Sequence, residues 1–463
     1  MNTQYKHFNA CLLGCIALMT MSSCDDTPDA YEVAGGTPTV DYIRCLSSEI
    51  KGYNDDENTL YTNGQLVTSA SPQAVLCLVG SNLRSVYEMY FNDKKAILNS
   101  SYITDNTLIV SVPSSVPSLV NDKIYMITKS QDTISYDFSV VIPAPQLSAM
   151  SCEYAAIGDE VVFTGNYMVD DPNVPLTVTF RDADGKDIEA HIKSIADDYT
   201  SCTVIVPEGA SEGAIAMTSI YGTTVSSFRY LDSRGMLFDF DDIVRSNHGW
   251  HAQTITTNET AIKGNFLQFG TGDAALAGSG DTWDDSHFHF EYWAGNWANP
   301  ETYASDDCVR LNDVIDFTDY ANMTLKFELN IPSDYPWSAC AMQIIFSGVN
   351  LVSNGNEGAT DIYGNKLAGC NNTYFHDEGI SLPRALYRPW TSTGSFDTGD
   401  KWITVSLPIA SQFIYYWDGS PASGSLNAES FANLEFFVSA GGVAGTDCTP
   451  IMKIDNIRVV PNQ

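Results

Sequence analysis

The chain has 463 residues, 57 acidic and 23 basic side chains, and a formal charge of −34 at pH 7. At about 100–200 residues per domain, that length predicts two to four domains, and an apolar share of 44% is enough to build real cores. So large an acidic surplus repels polyanions, which excludes nucleic acid as a partner and leaves a neutral polysaccharide compatible.

The N-terminus reads as an address. Lys6 and His7 are a weakly basic start, Phe8 to Met21 is mostly apolar, and Ser22-Ser23-Cys24 supplies small residues before a cysteine. This is the pattern of a secretory signal peptide over 1–23, and its final cysteine resembles a bacterial lipobox. The expected lipid anchor is Cys24, where each buried methylene would add ~0.8 kcal/mol of membrane affinity. Leu12-Leu13-Gly14-Cys15 also fits a lipobox, but cleavage there would leave Ile16–Met21 exposed. Asp25, Asp26 and Asp29 open an acidic tether over 24–38. They resemble the export signal of outer-face lipoproteins in Bacteroidota, which implies the outer membrane and cell surface. No run after residue 30 approaches the ~20 apolar residues of a spanning helix.

Two repeats follow, at 39–143 and 144–230. The first holds Leu78-Val79-Gly80-Ser81-Asn82, Tyr90-Phe91-Asn92 and Leu108-Ile109-Val110-Ser111-Val112-Pro113. The second holds Val162-Phe163-Thr164-Gly165-Asn166, Thr179-Phe180 and Thr203-Val204-Ile205-Val206-Pro207. Each series is an apolar strand turning at Gly and Asn, a β-branched or aromatic strand, and an alternating strand stopped by proline. This predicts an immunoglobulin-like sandwich in each repeat, and the turn signatures resemble the IPT/TIG branch. Cys45/Cys77 and Cys152/Cys202 fall two per repeat, which permits bridges but equally buried thiols.

Residues 231–463 differ in composition. All eight tryptophans lie here, and alternation marks strands at Thr324–Leu329, Lys401–Leu407, Leu434–Val438 and Met452–Val460. Without a convincing helical period, the domain is expected to be a larger jelly-roll-like β-sandwich. The fold class is therefore all-β: two tandem Ig-like sandwiches and a C-terminal sandwich.

Leu237-Phe238-Asp239-Phe240-Asp241, Asn247-His248-Gly249-Trp250-His251, Thr282-Trp283-Asp284-Asp285-Ser286, Phe288-His289-Phe290-Glu291-Tyr292-Trp293 and Ile454-Asp455-Asn456-Ile457 carry a family likeness. With the lipid address and the repeats, they resemble the B-type surface glycan-binding proteins of Bacteroides polysaccharide-utilisation loci, which carry a C-terminal xyloglucan-binding domain. The resemblance implies a non-catalytic lipoprotein that captures a plant β-glucan, such as xyloglucan or mixed-linkage glucan, for a neighbouring glycan transporter complex.

A sugar ring packs its C–H face on an aromatic face, and stacking of this kind on aromatic platforms contributes ~1–3 kcal/mol each. Platforms belong on loops, and three segments read as aromatic loops: Trp293–Tyr303, Pro332–Trp337 and Arg384–Trp390. Tyr303 and Trp337 are the expected main platforms, followed by Trp293, Trp297, Tyr335 and Trp390. Asn296, Asn299 and Arg310 are expected to recognise hydroxyls. Trp250, Trp283 and Trp402 read as core. Tyr415-Tyr416-Trp417 has no pattern that decides between the two.

No cofactor is expected, although Asp239, Asp241 and Asp242 could meet Asp455 around a structural calcium. His287 and His289 are two apart and could share a strand face, but no third metal ligand is indicated, so they read as core or surface residues. Catalysis has little support: no Gly-x-Ser-x-Gly elbow is present, and among 57 acids a carboxylate pair at glycosidase spacing has no weight. The rival readings are a β-sandwich glycoside hydrolase and an adhesin whose aromatics only pack domains.

Overall fold

The structure is a computed structural model that describes residues 35–46, 64–245, 254–296, 299–348 and 383–462. The described chain divides into two compact units, 1–144 and 145–463.

In the first unit, strands Thr39–Cys45, Val75–Ser81 and Thr107–Ser111 form one antiparallel sheet. Lys94–Lys95, Val86–Phe91, Lys123–Thr128 and Thr133–Asp137 form the facing sheet. Alternation sorts the side chains: in Val75–Ser81, Leu76 and Leu78 point inward, as Ile124 and Met126 do opposite.

The second unit begins with the second Ig-like sandwich. Gln146–Met150, Glu160–Asn166, Ser201–Ile205 and His191–Ile195 form one sheet; Asp187–Glu189, Thr177–Arg181, Ser211–Ser219 and Gly222–Tyr230 form the other. The glycine shared by the two sequence motifs has one structural cause. A Cβ on Gly80 would lie 1.8 Å from the Thr39 carbonyl oxygen, and one on Gly165 would lie 1.7 Å from that of Gln146. In both sandwiches the facing strand slips register there, between Val40 and Tyr42 and between Leu147 and Ala149, so only glycine fits beneath the bulge. Neither Cys45/Cys77 nor Cys152/Cys202 is joined in a disulfide.

The C-terminal sandwich packs two antiparallel sheets. One runs in the order Thr254–Thr256, Phe266–Phe269, Met452–Pro461, Met323–Asn330, Ile403–Pro408, with Met236–Phe238 also pairing to Met452–Pro461. The other runs His289–Tyr292, Asn433–Ser439, Ala341–Ser347, Arg384–Tyr387. Between them lies an aromatic core that includes Phe238, Phe240, Phe290, Phe327, Phe346, Phe431 and Phe436.

The outer face of the larger sheet is joined to the second Ig-like sandwich. Glu153, from the turn after Gln146–Met150, is buried between Lys326 and Arg458. Arg458 also grips Glu328 through two nitrogens, at 2.8 and 3.1 Å. Thr404 donates from its hydroxyl to Glu328 at 2.9 Å and accepts the Glu153 backbone N–H at 2.7 Å. The Arg458 guanidinium lies 4.9 Å over the Tyr154 ring. Trp402 completes the seam: it packs on the core of the second Ig-like sandwich and donates its indole N–H to the Thr260 carbonyl at 2.6 Å. Two carboxylates and two cations meet here, each ion hydrogen-bonded to an opposite charge although Arg458 Nε finds no partner; that pairing offsets the cost of burying their charge.

Candidate functional site

The outer face of the four-stranded sheet is polar. Because strand side chains alternate, Phe290, Tyr292, Leu434, Phe436, Met342 and Ile344 enter the core, and their neighbours point the other way. Cross-strand register sets His289 beside Phe437, Gln343 and Leu386, and sets Glu291 beside Glu435, Ile345 and Arg384. The polar groups are held in place. Arg384 donates to Gln343 Oε1 at 2.8 Å, Gln343 donates to the Ser439 carbonyl at 2.8 Å, and Asn433 bonds the Ser347 hydroxyl at 3.0 Å. The Arg384 guanidinium also lies 5.2 Å over the Tyr416 ring. His289 Nε2 stands 3.4 Å from Glu435 and 3.8 Å from Glu291.

Aromatic rings reach solvent at the margins of this sandwich. Trp283 is 48% exposed, and its ring meets Phe437 edge-on at a centroid distance of 4.8 Å. It sits beside the start of the edge strand His289–Tyr292. Tyr303 is 39% exposed and is the backbone partner of Gly295, just past that strand's end. At ~3.3 Å per residue, the path from 289 to 295 is at most ~20 Å. The Tyr303 hydroxyl donates to Asp313 at 2.7 Å, and burial together with that carboxylate raises its pKa to about 12. Tyr335, also 39% exposed, lies flat against Gly272, where a Cβ would come within 2.6 Å of the ring.

Three of the expected platforms are corrected. Trp337 is fully buried; its indole donates to the Ala339 carbonyl at 2.6 Å, and its backbone exchanges two 2.8 Å hydrogen bonds with Phe396. Trp390 is buried against the same segment and donates to the Cys340 carbonyl at 2.8 Å. Trp293 is buried as well. A ring enclosed by protein offers no face to a sugar, so all three are packing residues. Arg310 is corrected for the same reason: its side chain is buried, bonded to Asn312 at 3.0 Å and paired with Glu429 at 3.3 Å. Asn296 is half-buried and is the backbone partner of Asn299 across a hairpin. Trp297, the Asn299 side chain, Trp250, Cys15 and Cys24 lie outside the described residues.

Trp283, which its sequence context read as core, is the tryptophan left most open among the described residues. The neighbouring Thr282, Asp284, Asp285 and Ser286, with no aliphatic run, were the available signal. Tyr415, Tyr416 and Trp417 are half-buried at the far margin of the same sheet.

Two of the aspartates considered for calcium, Asp239 and Asp241, accept backbone hydrogen bonds. Asp239 Oδ1 accepts backbone N–H groups of Asp241, Asp242 and Ile243, and Asp241 Oδ1 accepts that of Asn265 at 2.7 Å. Asp455 lies near them along a cavity of about 900 Å³ at the seam. Burial, with Glu328, Asp241 and Asp239 adding repulsion, raises its pKa to about 8, so near neutral pH it is mostly protonated.

The comparisons with known proteins agree with this architecture. The family model for the surface glycan-binding protein B xyloglucan-binding domain matches residues 230–461. The crystal structure of surface glycan-binding protein PbSGBP-B from Prevotella bryantii is 46% identical, covers 93% of this chain and 100% of its own, and superposes with a TM-score of 0.68. The chain belongs to the surface glycan-binding protein B family. An IPT/TIG domain-containing protein of Bacteroides ovatus is 22% identical over 174 residues, 35% of this chain and 35% of its own length. That match spans about a third of the curated relative. Membership makes this surface glycan-binding B protein a non-catalytic, cell-surface glycan binder, with Ig-like and β-sandwich architecture as expected.

Proposed function

We propose that the C-terminal sandwich captures a plant β-glucan, xyloglucan or mixed-linkage glucan, along the edge that runs from Trp283 to Tyr303. The chain is anchored to the outer membrane by lipid on Cys24 and passes its ligand to a neighbouring glycan transporter complex. The observation that carries this reading is the match of the xyloglucan-binding family model to 230–461, the same residues that present the exposed rings. Trp283 and Tyr303 act as stacking platforms, with Tyr335 a third. Trp297 keeps its place as a candidate on sequence grounds, and Asn296 and Asn299 remain candidates for hydroxyl contacts. A neutral ligand suits a chain of charge −34, because stacking needs no counter-ion and resists salt.

Affinity electrophoresis in gels containing xyloglucan, mixed-linkage glucan, cellulose derivatives or an unrelated α-glucan tests this. The expected result is retardation by a β-glucan, reduced in Trp283→Ala and Tyr303→Ala, without release of reducing sugar. Retardation by none of the β-glucans, or full retention in both variants, overturns it.

A further inference from the structure

Three buried ionisable side chains converge on the outer face of the four-stranded sheet. His289 and Glu291 are two residues apart on one edge strand, so they share a face, and Glu435 is the direct cross-strand partner of Glu291. One ligating atom from each lies within 4.8 Å of the other two. His289 Nε2 is 3.4 Å from Glu435 Oε2 and 3.8 Å from Glu291 Oε2. Donors bound at ~2.1 Å around a tetrahedral ion stand ~3.4 Å apart, so these separations already approximate a coordination shell.

We propose that His289, Glu291 and Glu435 bind one divalent first-row transition ion of the zinc class. Two carboxylates directly opposite each other on neighbouring strands repel, and both side chains are almost entirely shielded from water. A dication bridging them draws both carboxylates and the imidazole onto one centre. The donor set selects the ion: one imidazole and two carboxylates suit zinc and its neighbours, whereas calcium asks for six to eight oxygens and magnesium keeps several waters.

The location gives the ion a task. His289 packs 4.9 Å from Phe437, and Phe437 carries the edge of Trp283. An ion bridging 289, 291 and 435 ties the edge strand to its neighbour beneath that platform. The inference does not depend on which glycan is captured.

The test uses the full-length protein, stripped with a chelator and titrated with Zn²⁺ and then with Co²⁺. The expected result is one Zn²⁺ per chain by native mass spectrometry, a raised melting temperature, and visible Co²⁺ bands of low-coordinate geometry. His289→Gln and Glu435→Gln should each lose that equivalent and the bands. A stripped wild-type chain that takes up neither ion overturns the proposal, as would two carboxyls that share a proton instead. Undiminished uptake in a variant with native circular dichroism also overturns it, as does displacement of Zn²⁺ by equimolar Ca²⁺. Should both variants fail to fold, the wild-type stoichiometry and the nitrogen signature in the Co²⁺ spectrum decide by themselves. Gel retardation on β-glucan, run in parallel, separates failure of the metal site from failure of glycan capture.

Discussion

The two sheets of the C-terminal sandwich share a core yet present opposite outer faces. On the larger sheet, Lys326 and Arg458 meet Glu153 and Glu328 in a matched set that crosses to another domain. On the smaller sheet, His289, Glu291 and Glu435 form an acid-rich group on neighbouring strands of one domain, and exposed aromatics stand beside it. Burial of charge alone therefore does not distinguish structure from function. The two sets differ in where their groups come from: one crosses to another domain, while the other's three ligating groups lie on strands of one domain.

The comparison can be broken most sharply at its balanced end. Arg458→Ala leaves Glu153 and Glu328 buried without their shared cation and should cost about 3–5 kcal/mol in urea unfolding. A loss under ~1 kcal/mol would show that the seam is wet and replaceable. Between the faces, Trp337→Ala should destabilise by ~3–5 kcal/mol, as large-to-small core changes do, with its calorimetric melting temperature falling accordingly. An unchanged melting temperature with lost glycan binding would restore Trp337 as a platform.

Asp455 sharpens the contrast through pH. Its folded pKa of about 8 exceeds the ~3.9 of an unfolded aspartate, so the folded chain holds a proton that the unfolded chain releases. Its contribution is therefore fully present below about pH 4 and is lost as pH rises towards 8. Asp455→Asn should gain stability over wild type by up to ~1.4 kcal/mol per pH unit across that window, measured as melting temperature against pH, with little gain at pH 4. The smallest effects on folding belong to the aromatic margin. Trp283→Ala should weaken glycan binding by ~1–3 kcal/mol in affinity electrophoresis and change the unfolding free energy by no more than ~0.5 kcal/mol.

Much of the fold was legible in the sequence because it is written in local terms: alternation, Gly-Asn turns and strand-ending prolines. Gly80 and Gly165 are an example, since the motif that identifies the repeat is the one a bulged neighbour requires. Exposure was not legible, because it depends on where a loop returns. Tyr335 and Trp337 are two residues apart in one proline-flanked segment, yet pairing with Phe396 folds the second inward and leaves the first outside. The His289–Glu435 meeting depends on a register between strands 146 residues apart, and no local spacing encodes that.

Arg458 also has a mechanical consequence. A pull on the last domain loads a junction clamped by ion pairs and by the Trp402 ring, so the load reaches the preceding Ig-like sandwich through those contacts. Compliance at this junction would have to come from yielding of the clamp itself.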